Sequence, residues 1–422
     1  MPIPIIQQTP TYRELLAAKY HAVRMETQHL CAPLQIDDYQ LQSIIETSPP
    51  KWHIAHVSWF FEEFVLPHFD KSYRPFHPQF SYLFNSYYET VGGMQPRPQR
   101  GLLSRPTVED IYRYREYVDQ QVLALINSID EQLWPEFSFR ITLGLNHEQQ
   151  HQELLLMDIK HNFSVNPMKP AYRDDLVIAQ SKHSELDWLE RTGGIQQIGH
   201  FGDGFCFDNE TPRHSVLLRD HYLADRAVTN EEYLAFVDDG GYDRPELWLA
   251  DGWYLVRQQQ WQHPLYWDRK DGGDWWQFTL GGMRPMDPNE PVCHVSFYEA
   301  DAYARWAGKR LPSEAELETA LEGQTAGGNL LDSGLLQPHA GSGQWYGDVW
   351  EWTASAYAAY PGFRPLEGSM GEYNGKFMCN QMALRGGSCV TPHDHVRASY
   401  RNFFYPRDRW PFTGIRLAED SE

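Results

Sequence analysis

In the first part of the chain, apolar residues recur every three or four positions over long segments, with polar breaks between them, which is the period of amphipathic helices. One such segment covers 11–31, and a second is expected across 37–46. The third is KWHIAHVSWFFEEFVL, where Trp52, His56, Trp59, Phe60 and Phe64 fall near one stripe. Ser48 is placed to cap it, and Pro49 and Pro50 suit a first turn, where their missing N–H groups cost nothing. Thr107-x-x-Asp110, a capping box with Asp in place of Glu or Gln, opens IYRYREYVDQQVLALINSI. The last run, FRITLGLNHEQQHQELLLMDIKH, covers 139–161. Four long helices with one long crossover at 68–106 predict a helix bundle. A connection of that length in a compact domain is expected to carry function.

After His161 the pattern changes. FSVNPMKPAYRDDLV reads as a linker, and from Gly193 onward Gly, Trp and Pro are dense and the apolar runs are short, as for strands and ordered loops. Helical period returns at 297–307 and again after Ser313, a second cap. The expected organisation is a helical domain over 1–165, a linker over 166–190, and a domain with little regular secondary structure over 191–422.

Composition narrows the class. Of 422 residues, 41% are hydrophobic and 22% charged, a globular balance. Lys and Arg number 36 against 57 Asp and Glu, a net charge of −21. That disfavours nucleic acid and anionic membrane surfaces, whose binding needs cationic side chains. The apolar runs fall short of the ~18 residues of a spanning helix. MPIPIIQQTP has no basic n-region or long h-region, so no signal peptide is expected. Five widely spaced cysteines without a C-x-x-C point to free thiols and a cytoplasmic protein. The sequence leaves the oligomeric state open.

The chemistry concentrates in the last bundle helix. His147 and His151, four apart, share one helix face, so both imidazoles can reach one metal; Glu153 follows. The same stretch, HEQQH, satisfies the H-E-x-x-H of zinc proteases, with Glu148 as general base. That rival lacks a third ligand. A metzincin needs glycine at 154 and histidine at 157, where the chain has Leu154 and Met157, and the next acids, Glu185 and Glu190, follow the linker. Upstream, His56 sits mid-helix among aromatics and can complete a three-histidine set; His53, one turn earlier, competes for the role. Imidazole suits iron, copper and zinc alike, so ligand type alone does not choose the metal.

W-x-x-A-H (Trp52 to His56) followed by H-x-x-x-H-x-E resembles the DinB-like bundle of the non-haem iron sulfoxide synthases of ergothioneine and ovothiol biosynthesis. The second half independently resembles the formylglycine-generating-enzyme fold, a C-type-lectin-like scaffold. The motifs are Pro291-Val292, Val295-Ser296-Phe297, Trp306-Ala307-Gly308-Lys309-Arg310-Leu311-Pro312-Ser313-Glu314-Ala315-Glu316, Gly347-Asp348-Val349-Trp350-Glu351-Trp352-Thr353, Arg385-Gly386-Gly387-Ser388 and Gly414-Ile415-Arg416-Leu417. A formylglycine-generating enzyme needs a close cysteine pair after R-G-G-S; only Cys389 is present, so the domain is expected to be scaffold and pocket wall. No methyltransferase domain of the ovothiol branch is seen, which favours the ergothioneine branch.

The resemblance implies an α bundle followed by an α+β domain. It implies His56, His147 and His151 as Fe(II) ligands, O2 as co-substrate, and coupling of a thiol to C2 of the imidazole of hercynine (Nα-trimethylhistidine) with oxidation of the sulfur to a sulfoxide. It places Gln150 on the substrate imidazole, Arg97 and Arg100 on the carboxylate of the thiol, and Asn402, Phe403 and Phe404 in the betaine pocket. Tyr87 and Tyr88, in N-S-Y-Y-E of the crossover, match a tyrosine pair facing the metal. Where the γ-glutamylcysteine-using branch has Asp, this chain has Phe404, which points to L-cysteine. The alternatives are a γ-glutamylcysteine or selenium donor, a zinc hydrolase, or a non-catalytic binding module.

Overall fold

A computed structural model describes residues 11–179, 181–270, 273–339, 341 and 343–421. The chain divides into two compact units, Met1–Leu155 and Leu156–Glu422.

The first unit is helical. Its helices are α1 (Tyr12–Cys31), α2 (Pro50–Phe64), α3 (Leu66–Phe69), α4 (Phe80–Phe84), α5 (Val108–Ser128) and α6 (Trp134–Ser164), the last running on past the unit boundary. Thr11 and Thr107 close capping boxes with Glu14 and Asp110, so α1 and α5 begin where the sequence says. Two expectations need correction. Residues 37–46 form no α-helix: a five-residue 3-10 helix, Ile36–Gln40, is followed by irregular chain. Ser48 does not cap α2: the N-cap is Pro49, without a side-chain bond, and the Ser48 hydroxyl accepts from Arg100 instead. The crossover holds α3, α4 and a 3-10 helix, Arg97–Leu102.

Helix α2 is the central element, with every residue except Glu63 buried. Gly144 sets its approach to α6: a Cβ there would lie 2.5 Å from the Phe61 ring. A buried polar hub crosses the bundle. Arg24 of α1 donates to Asp119 of α5 at 2.7 Å, to Glu148 of α6 at 2.9 Å and to Ser58 of α2 at 3.0 Å. Such a hub contributes register more than net stability, because desolvating the charges costs much of what their attraction returns. Glu62 pins the crossover, accepting from Tyr73 at 2.6 Å and the Phe76 amide at 2.9 Å.

The second unit is built from short strands. A four-stranded sheet runs Asn402–Phe404, Met382–Arg385, Trp350–Ala356, Thr413–Gly414, with Glu351 opposite Arg385 and Trp352 opposite Leu384. A three-stranded sheet joins Trp188–Arg191, His221–Ala224 and Ala418–Asp420. Ser296 caps helix Phe297–Trp306 and Ser313 caps Glu314–Leu321. Helices Asn230–Asp238 and Ala250–Gln259 escaped the periodicity reading, being short and set among aromatics. The motif arginines are scaffold: Arg385 pairs with Glu314 and Glu318, and Arg416 with Glu351, all buried. Gly386 and Gly387 have φ of +98° and +84°, which a side chain would resist. All five cysteines are free thiols. No helix among the described residues is long and apolar enough to cross a membrane.

Candidate metal centre

Helix α2 supplies His56, and α6 supplies His147 and His151 one turn apart. Their ligand atoms all lie within 4.8 Å of one another. His56 and His147 are buried and His151 is half-buried. His56 is held tightly: its Nδ1 donates to the Phe84 carbonyl at 2.6 Å, leaving Nε2 for a metal, and its ring stacks on Trp52 at 4.5 Å and Trp59 at 5.4 Å. His147 packs on Phe60 at 4.8 Å, and its Nδ1 is buried with no hydrogen-bond partner among the described residues.

Burial holds the three rings neutral. It lowers His147 to about 4, and it drives His56 and His151 well below the usual histidine range, helped by the neighbouring imidazoles and by Arg100. Neutral imidazole is the ligating form. Convergent neutral rings and a buried nitrogen without a partner fit a metal better than a packed core, where that nitrogen would stay unsatisfied.

The competing roles separate cleanly. His53 is not one of the cluster; its Nδ1 lies 2.8 Å from Nδ1 of His151. Glu148, the base of the zinc-hydrolase alternative, is fully buried in the polar hub. It accepts from Arg24, Arg115 and Thr27. Burial raises its carboxyl, but Arg115 and Arg24 outweigh that and hold it below the usual range. A carboxylate so occupied cannot take a proton from water, which removes the hydrolase reading.

Near the cluster, Asn85 folds the N-S-Y-Y turn by bonding the Tyr88 amide and carbonyl. The Tyr87 hydroxyl accepts from Arg97 at 2.6 Å. Tyr88 is buried against Trp59 at 5.6 Å and Phe64 at 4.9 Å. Arg100, 2% exposed, donates to the Ser48 and Ser86 hydroxyls at 3.0 Å each and lies over Trp52. Gln150 is half-buried on α6, between the two histidines. Asn402, Phe403 and Phe404 form one strand of the second unit, all half-buried. Phe403 stacks on Tyr357 at 4.1 Å, and Phe404 meets Trp410 edge-on at 5.9 Å. Sequence reading missed Ser48 and Ser86 as holders of Arg100, for serine in a loop carries no signal of its partner.

Residues 19–155 match the DinB superfamily, and residues 179–339 and 337–421 match the sulfatase-modifying factor enzyme 1-like domain. The hercynine oxygenase of Mycolicibacterium smegmatis is 29% identical across 97% of this chain and 99% of its own length. That of Mycobacterium tuberculosis is 32% identical across 67% of this chain and 72% of its own. The formylglycine-generating enzyme of Streptomyces coelicolor is 37% identical, over 38% of this chain and 53% of its own.

Proposed function

The chain belongs to the hercynine oxygenase family, and on that premise we propose that it joins the sulfur of L-cysteine to C2 of the hercynine imidazole, with Fe(II) as its metal and O2 as oxidant. Family membership makes it an oxidoreductase of ergothioneine biosynthesis. The observation that carries the reading is the three-histidine cluster, whose ligand atoms all converge within 4.8 Å of one another.

The reaction balances on O2 alone. Forming the C–S bond removes a hydrogen from the thiol and one from C2, which is two electrons. Oxidising sulfur to the sulfoxide removes two more. One oxygen atom goes to sulfur and the other leaves as water.

His56, His147 and His151 would hold the metal, which would supply O2 activation and a Lewis-acid centre near which the two substrates are brought together. Arg97 and Arg100 receive the cysteine carboxylate, as planar guanidinium forks suit that group. Gln150 hydrogen-bonds the substrate imidazole. Asn402, Phe403 and Phe404 are assigned to the trimethylammonium group, which aromatic faces attract. Tyr87 or Tyr88 supplies a phenolic proton as oxygen is reduced. With Phe404 in place of an acid, a γ-glutamyl extension finds no charged partner there, which favours the smaller thiol.

The test is protein purified without oxygen, loaded with Fe(II), and given hercynine and O2 with L-cysteine, γ-glutamylcysteine or a selenium donor in parallel. The cysteinyl sulfoxide, identified by mass spectrometry, is the expected product. Faster turnover of either other donor overturns the donor assignment. Stoichiometric metal without turnover of any donor overturns the enzymatic reading.

A further inference from the structure

We infer that His53 is a positioning residue for the metal centre: its Nδ1 accepts the Nδ1–H of His151 and thereby presents Nε2 of His151 to the metal. The inference rests on the three-histidine reading above and assigns a role outside it.

The geometry leaves little freedom. The two Nδ1 atoms are 2.8 Å apart, so they share one proton. Were His53 the donor, Nδ1 of His151 would spend its lone pair on that bond. Its own proton would then sit on Nε2, and neither nitrogen could ligate. A neutral His151 that binds a metal therefore donates from Nδ1 and ligates through Nε2, and His53 carries its own proton on Nε2.

His151 is also the ligand most in need of such a tie. His56 is fixed by the Phe84 carbonyl and two indoles, and His147 is buried against Phe60. His151 is half-buried, with its ring 5.1 Å from His53 and 6.1 Å from Trp52. His53 itself is 3% exposed and set edge-on to Trp52 at 5.8 Å, so its ring is held before any metal arrives. It precedes His56 by three residues on α2, so one face of that helix supplies both a ligand and the group that orients another ligand.

Three variants separate this from a bulk structural effect. His53→Phe keeps a ring but removes the acceptor. His53→Asn places an amide oxygen near the position of Nδ1. His147→Ala removes a ligand. Fe(II) affinity is measured by anaerobic competition with a chromogenic chelator, and Co(II) loading reports ligand geometry through its visible absorption bands; thermal midpoints check the fold. Loss of a partner to a ligating histidine typically costs 10–100-fold in metal affinity, and about that loss is expected for His53→Phe, with altered Co(II) bands. His53→Asn should recover most of it. Parent-like affinity and bands in His53→Phe overturn the inference while leaving the centre intact. Complete loss of metal in both His53 variants, equal to that in His147→Ala, makes His53 a ligand and also overturns it. Undiminished metal in His147→Ala overturns the three-histidine reading itself.

Discussion

The guanidinium carbon of Arg100 lies 3.5 Å from the centroid of the Trp52 ring, and the same indole stacks on His56 at 4.5 Å and 15°. One side chain thus spaces the residue assigned to the substrate carboxylate from a residue assigned to the metal. A thiol held at both ends would have its sulfur placed by that spacing. Arg100→Ala should raise the KM for L-cysteine by about tenfold to 150-fold, the ~1.5–3 kcal/mol of a hydrogen bond to a charged group, and that for hercynine far less. Arg100→Lys should not rescue it, since an ammonium can neither lie flat on the indole nor fork to two serines. Steady-state kinetics with each substrate varied in turn checks both.

Glu148 is expected to matter for the fold. Glu148→Gln leaves Arg24 and Arg115 buried without their shared counter-charge, at a cost of ~3–5 kcal/mol in chemical denaturation. The depressed carboxyl also sets a sign with pH. Its contribution is full above the ordinary Glu range and is lost as acid titrates the folded protein through the lowered value. Parent-like stability in Glu148→Gln would refute this.

Asp348 runs the other way. Burial raises its carboxyl to about 7, against acceptance from the Asn329 side chain and the His339 amide, which lower it, and with Glu290 and Glu351 adding to the rise. The fold favours the protonated form, so the stability it contributes is full below the unfolded value of 3.8 and is lost as pH rises to about 7. Asp348→Asn keeps an acceptor oxygen for both donors without the charge. Its melting temperature should exceed the parent's above pH 7 and converge with it near pH 4. A lower midpoint at pH 8 would refute this.

The tyrosine pair should govern what the oxidant does. In the Tyr87→Phe/Tyr88→Phe double variant the packing against Trp59 and Phe64 remains but both phenolic protons are gone. The sulfoxide share of product should fall and cysteine sulfinic acid should rise, as read by mass spectrometry. An unchanged ratio would remove both residues from the chemistry. Of the single variants, Tyr87→Phe also removes one acceptor from Arg97, which still donates to the Glu46 carbonyl, and should raise the KM for the thiol.

Phe404→Asp tests the donor. An apolar ring cannot pair with a γ-glutamyl group, and a buried polar group left unpaired costs ~1–3 kcal/mol, about a five- to 150-fold preference. Restoring an acid should erode the preference for L-cysteine over γ-glutamylcysteine in side-by-side assays. An unaltered ratio of kcat/KM values would show that the donor is chosen elsewhere.

The sequence by itself determined the long helices, because a period of 3.6 and the Thr11 and Thr107 caps are local signals that tertiary packing did not override. It also brought His147 and His151 to one face of one helix, since that follows from helical rise alone. Residues 37–46 and Ser48 misled for the complementary reason. Of the apolar residues there only Tyr39 is buried while Leu41 and Ile45 stay exposed, so no helical face is packed, and a serine before a proline-led helix was engaged by an arginine 52 positions away. Only the folded chain could decide that Glu148 is sealed between Arg24 and Arg115, that His53 meets His151, and that Arg100 lies on Trp52. Each depends on which side chains meet across different helices, and a period read along one helix carries no information about its partner.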